Sequence, residues 1–128
     1  MTFRQEIGAF GEGAAAEYLF RKQFRIVARN FRAGRNEIDI IAENERYLVF
    51  AEVKTRMSQG PDASRYGRPA SAVDLHKQKC TVACAEEYLR RFPTQKQPRM
   101  DVVEVYVGQR NGCLKVLSIC HMENAYGG

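Results

Sequence analysis

No stretch of the 128 residues approaches the roughly 20 consecutive apolar residues that a membrane-spanning helix needs, so no membrane span is expected. The opening segment, MTFRQEIGAFGEG, carries acidic residues where a secretory signal would place its apolar centre. Export is therefore not expected, and the cytoplasm is the expected compartment. Repeats, low-complexity tracts and long linkers are also missing. What remains, with 45% hydrophobic residues, is the composition of one globular domain spanning residues 1–128 around one core.

Cysteine and histidine are scarce, at four and two residues. A disulfide framework has no support in a chain that is not exported. His76, Cys80 and Cys84 recur at i, i+4 and i+8, so they share one helix face, and Cys120 with His121 would complete a zinc set. The short C-x-x-C spacing of zinc knuckles is absent, and free cysteine is among the most buried residue types. Small core residues are the better reading.

Charge is unevenly distributed. The net charge of +5 suggests a polyanionic partner. Residues 21–35 hold six basic residues (Arg21, Lys22, Arg25, Arg29, Arg32, Arg35) and no acidic one. Residues 36–55 hold five acidic residues against Arg46 and Lys54. Arg65, Arg68, Lys77 and Lys79 then restore the positive excess. An acidic centre with basic flanks suits a site that holds cations while its rim attracts phosphates; a solvated surface is the plain reading of each basic run alone.

Apolar spacing predicts a helix over 6–22, a strand over 24–31, two strands over 37–42 and 46–54, and an irregular Pro/Gly loop over 56–70. Ser71 and Asp74 form a capping-box pattern that opens a second helix over 72–91. Strands over 99–107 and 114–120 follow, with a turn at Asn111-Gly112. The order α-β-β-β-α-β-β is that of an α/β domain with one sheet and two principal helices.

The segment NEIDIIAENERYLVFAEVKTR, residues 36–56, places charges inside otherwise apolar strands. Burying an ionised group costs several kcal/mol, roughly, unless a partner or a metal compensates. With Asn44-Glu45 as a two-residue hairpin loop, Glu37 faces Glu52. Glu37, Asp39, Ile41, Leu48, Phe50, Glu52 and Lys54 then share one face, and Ile38, Ile40, Tyr47, Val49, Ala51 and Val53 the other; a register shift of two preserves this grouping. Three carboxylates exceed what Lys54 can neutralise. Oxygen ligands without histidine suit a hard ion such as Mg²⁺ or Mn²⁺, which can polarise a phosphate, and a neighbouring lysine can orient water or offset developing charge. The competing reading of E-x-K is a salt-bridged structural pair.

These features together, EIDIIA, LVFAEVKTR and GAFGEGAAAEYL, with RYGRPASAV before Lys77, RMDVVEV and ICHMENAY, resemble the bacterial YraN-type family. That family is similar to the PD-(D/E)xK nuclease superfamily and, within it, to archaeal Holliday junction resolvases. The resemblance runs over nearly the whole chain. It implies a restriction-endonuclease-like α/β fold, a central mixed sheet of about five strands flanked by two main helices. It also implies Asp39 and Glu52 as metal ligands, Lys54 as the catalytic lysine, Glu12 as a helical acid completing the metal site, and Glu37 as a supporting acid. The family has glycine where this chain has Asn36. Arg32, Arg35, Arg56 and Lys77 are candidate contacts to nucleic acid, with DNA the expected partner. A homodimer would suit two-fold substrates. Asp101, next to Arg99, reads as a structural pair. Three functions stay open: a Mg²⁺- or Mn²⁺-dependent endonuclease acting on structured or branched DNA, a non-catalytic nucleic-acid-binding domain, and an interaction protein whose carboxylates are structural.

Overall fold

The computed structural model describes residues 2–57 and 75–127. The chain runs α1 (Phe3–Arg21), β1 (Arg25–Ala33), β2 (Asn36–Glu43), β3 (Tyr47–Met57), α2 (Leu75–Arg91), β4 (Gln97–Arg110) and β5 (Cys113–Tyr126). One sheet, ordered β1-β2-β3-β4-β5, is antiparallel except for the parallel β3–β4 pair. This is the α/β architecture with a five-stranded mixed sheet and two helices that the resemblance implies. Among the described residues, no helix is long and apolar enough to cross a membrane.

Helix α1 starts three residues before the periodicity suggests because Thr2 caps it. The Gln5 amide donates to the Thr2 hydroxyl at 3.2 Å, and the Thr2 amide donates to the Gln5 side chain at 2.9 Å. Ala15 and Leu19 seat α1 on one sheet face, against Ile40, Ala42, Val49, Ala51, Val103, Val105 and Val107. On the other face Cys84, Ala85 and Tyr88 of α2 cover Ile38, Ile41, Leu48, Phe50 and Met100. Ser71 and Asp74, the proposed cap of α2, and most of the expected Pro/Gly loop lie outside the described residues.

Two details of the central hairpin depart from expectation. The pairs are Ile40–Ala51, Ile41–Phe50, Ala42–Val49 and Glu43–Leu48, a register two residues from the one expected. Asn44 causes the shift: its side chain accepts from the amides of Arg46 (2.9 Å) and Tyr47 (2.8 Å), which moves the turn one residue on. The shift of two retains the expected faces of β3. The grouping fails at Ile38, which packs towards α2 while Ile40 packs towards α1, and at Asp39, which lines a cavity on the α1 side while Glu52, expected on the same face, lies towards Lys77 of α2. The reason lies on β1, where Asn30 takes a left-handed conformation (φ 55°) between Arg29, paired with Ile40, and Phe31, paired with Ile38. One left-handed residue rotates the ribbon and breaks strict alternation.

Gly11 brings α1 into close contact with β3. A Cβ added there would lie 1.9 Å from the Thr55 hydroxyl and 2.8 Å from the Thr55 Cβ. Rotating the threonine does not move its Cβ, so the helix itself must lift. Gly11→Ala should therefore lower stability by about 1–3 kcal/mol in urea denaturation, although alanine is the better helix former by roughly 1 kcal/mol. A variant as stable as wild type would show that this contact is loose.

Candidate active site

Beyond the Ile40–Ala51 pair no further partners join β2 to β3, and this gap organises the site. The Val53 amide, which a continuing strand carbonyl would satisfy, donates instead to Asp39 Oδ2 at 2.8 Å. Asp39 thus holds its place through the backbone of the strand that carries Glu52 and Lys54. It lines a cavity of about 540 Å³ on the α1 side with Phe3, Ile7, Glu12, Thr55 and Arg56. Burial pushes the Asp39 carboxyl up to about 6; the Val53 amide opposes this, and the charges of Glu12, Glu52 and Glu37 add to it. The other three candidate acids therefore all act on the Asp39 carboxyl.

Glu52 faces α2. It is 5% exposed, and its Oε1 lies 3.1 Å from Lys54 Nζ and 4.0 Å from Lys77 Nζ. Its Oε2 is buried with no hydrogen-bond partner. An orphaned, buried carboxylate oxygen, on a residue whose charge reaches the buried Asp39 carboxyl, offers the oxygen donors that a hard cation takes. As placed, however, no group of three His, Cys, Asp or Glu side chains among the described residues is gathered closely enough to hold a metal ion. The acids share a sheet end without forming a closed cage.

Glu12 and Glu37 stand at the rim, 3.8 Å from Arg29 and 3.7 Å from Arg32 respectively. The basic run 21–35 is thus largely paired: Arg21 with Glu17, Arg25 with Glu43, Arg29 with Glu12 and Arg32 with Glu37. Arg35 and Lys77 are exposed and line a second cavity, of about 640 Å³, with Glu37, His76 and Cys80. Arg56 does not simply project to solvent. Its Nε lies 3.2 Å from Glu104 Oε1.

Glu104 is the site neighbour that sequence reasoning missed. It is 1% exposed, sits across from Lys54 on β4, accepts from Tyr106 at 3.4 Å as well as from Arg56, and has a buried Oε2 without a partner. The signal was present in DVVEVYV, where a glutamate interrupts an apolar strand just as Glu52 does.

The remaining chemistry-bearing residues serve packing. Asp101, fully buried, accepts two bonds from Arg99 at 2.9 Å, one from His121 Nε2 at 2.6 Å and one from the Asn124 amide at 2.9 Å. His121 Nδ1 lies 3.2 Å from the Tyr18 hydroxyl, so both ring nitrogens are engaged. Cys84 is buried in the α2 core, whereas Cys113 is exposed at the β4–β5 turn, so the core reading does not extend to every cysteine. His76 and Cys80 are adjacent on α2, at 3.6 Å.

The raised Asp39 pKa has a consequence for the metal-free protein. A carboxyl at about 6 in the native state, against an ordinary 3.8, opposes folding once both states would ionise. The cost is absent below about pH 4 and grows as pH rises through about 6. With chelator present, Asp39→Asn should raise unfolding free energy near pH 7.5 by on the order of 1–3 kcal/mol, with the gain vanishing at about pH 4. Equal stabilities near pH 7.5 would mean that the charge at Asp39 is already neutralised.

A five-stranded mixed sheet between two helices, with carboxylates and a lysine at a strand gap, defines the class: a small α/β domain of nuclease-like architecture. The model of the family described as uncharacterised protein family UPF0102 matches residues 11–105, and the chain belongs to that family. It is 38% identical over 124 residues to a UPF0102 protein of Caldanaerobacter subterraneus subsp. tengcongensis, covering 96% of each chain. It is 45% identical over 105 residues to one of Symbiobacterium thermophilum, covering 81% of this chain and 85% of that one. A Chlorobium phaeobacteroides relative is 40% identical over 123 residues, covering 94% of each.

Proposed function

We propose that the protein is a nucleic-acid-binding, Mg²⁺- or Mn²⁺-dependent endonuclease that acts on structured or branched DNA. The observation that carries this reading is the Asp39 carboxyl at the β2–β3 gap, its pKa raised by burial and by Glu12, Glu52 and Glu37 together. Asp39, Glu52 and Glu12 are the residues that would hold the ion. The chemistry such an ion supplies when bound is polarisation of the scissile phosphate. Lys54, tethered by Glu52, supplies a cation that orients water or offsets charge on the phosphate. Arg35 and Lys77, on the rim, supply contacts to the phosphate backbone, and these carry affinity without sequence preference.

A second reading draws on the ion pairs Arg29–Glu12 and Arg32–Glu37, which partly neutralise the acids without a metal. In that reading the cluster is structural, and the domain binds nucleic acid or another partner without cleaving it. Incubation of duplex, flap and four-way DNA substrates with Mg²⁺ or Mn²⁺, beside a metal titration, separates the two. Cleavage of a branched substrate supports the endonuclease. Metal binding without cleavage favours a binding domain, and absence of metal binding leaves the structural cluster.

A further inference from the structure

Asn30 combines two unusual features. It is a non-glycine residue at φ 55° in an edge strand, and its side chain reaches two carboxylates from different elements. With the amide nitrogen facing the acids, it donates to Glu37 Oε1 at 3.0 Å and to Glu12 Oε1 at 3.1 Å. Carboxylates only accept, so this orientation alone satisfies the contact. Arg29 and Arg32, on either side, add charge to the same two acids. The register places Asn30 across from Asp39.

The physical problem this solves is specific. Glu12 sits on α1 and Glu37 on β2, both with flexible side chains, and like charges drive them apart. One amide shared between them fixes their nearer oxygens within reach of a single donor. The left-handed backbone at this exposed edge position aims the amide at both rim acids. Asparagine meets both demands, because it tolerates this conformation and carries the donor.

We propose that Asn30 is a positioning residue, bridging Glu12 to Glu37 so that the helix-borne acid faces Asp39 and belongs to the cation site. The consequence for metal rests on the proposed function; the bridge does not. The rival explanation is that asparagine is needed only for the backbone turn. Asn30→Gly distinguishes them, since glycine adopts the same φ freely but has no amide.

The test measures Mn²⁺ affinity and unfolding equilibria for wild type, Asn30→Gly, Glu12→Ala and the double variant. Asn30→Gly should stay folded, with Mn²⁺ affinity reduced about 10-fold, the scale of losing an outer partner of a metal ligand. Glu12→Ala should lose a similar amount, and the double variant should be no weaker than Glu12→Ala alone. Mn²⁺ affinity of Asn30→Gly equal to wild type, or losses that multiply in the double variant, would overturn the proposal. If wild type binds no Mn²⁺, the metal-dependent function fails, and the unfolding equilibria measured with chelator decide the bridge. Effects of Asn30→Gly and Glu12→Ala that are non-additive by about threefold or more in the unfolding constant support it, and additive effects overturn it.

Discussion

In the proposed endonuclease, Lys54→Ala should lower phosphodiester hydrolysis by about 10²-fold or more while leaving divalent-cation binding within about twofold of wild type. Lys54 is not among the oxygen donors, so its removal leaves Asp39, Glu52 and Glu12 in place. Lys77, 4.0 Å from Glu52, still offsets part of the buried charge. What is lost is the cation held 3.1 Å from the Glu52 carboxylate, the proposed ligand. Glu52→Gln is the complementary variant. It keeps the shape of a side chain that is 5% exposed but removes a charged donor, so cation affinity itself should fall. Calorimetric metal titration and single-turnover cleavage of a four-way substrate read the two effects separately. Unchanged cation affinity in Glu52→Gln would sink the assignment of Glu52 as a ligand, and with it the endonuclease reading.

Asp101→Ala should cost about 3–5 kcal/mol of stability, enough to leave a domain of this size marginal at ambient temperature. Asp101 is wholly inaccessible and receives four hydrogen bonds. Alanine leaves Arg99, a residue only 9% exposed, without its bidentate partner and His121 without its acceptor. Burial opposes ionisation of Asp101, but bonds from His121, Arg99 and the Asn124 amide outweigh it and hold its pKa below the ordinary carboxylate value. A depressed pKa contributes stability that is fully present above the unfolded value and lost as pH falls through the folded one. Chemical denaturation across acidic pH should show that loss in wild type and not in Asp101→Ala. Equal acid sensitivity in the two proteins would assign the acid limb to other carboxylates.

The strands were legible because their side-chain period is the one alternation expresses. Val49, Ala51 and Val53 face α1 as expected, and the error in hairpin register left that grouping intact because a shift of two preserves parity. Ile38 was not legible, because its face depends on the backbone angle of Asn30 on another strand, and apolar spacing carries no record of φ. Glu12 could not be separated from Glu6 and Glu17 by helical periodicity. Its place is set by the close approach at Gly11, which only the packed structure reveals. The basic run 21–35 suggested an open positive surface, whereas cross-strand and helix contacts spend much of that charge on acids; the partners of surface arginines are a tertiary property.

The parallel β3–β4 pair has a consequence for the order in which the chain assembles. β1–β2, β2–β3 and β4–β5 join neighbours through short turns, whereas Tyr47 must find Gln97, fifty positions further on. Hairpins form in roughly 1–10 μs, while a register of long sequence separation waits on loop closure. The acids at the strand gap all lie on elements of the early, local part of the chain, so their neighbourhood is drafted before the sheet is complete. Until β4 arrives, β3 presents an unpaired edge of 11 residues whose first five, Tyr47 to Ala51, are apolar. That transient edge is a place where self-association competes with folding.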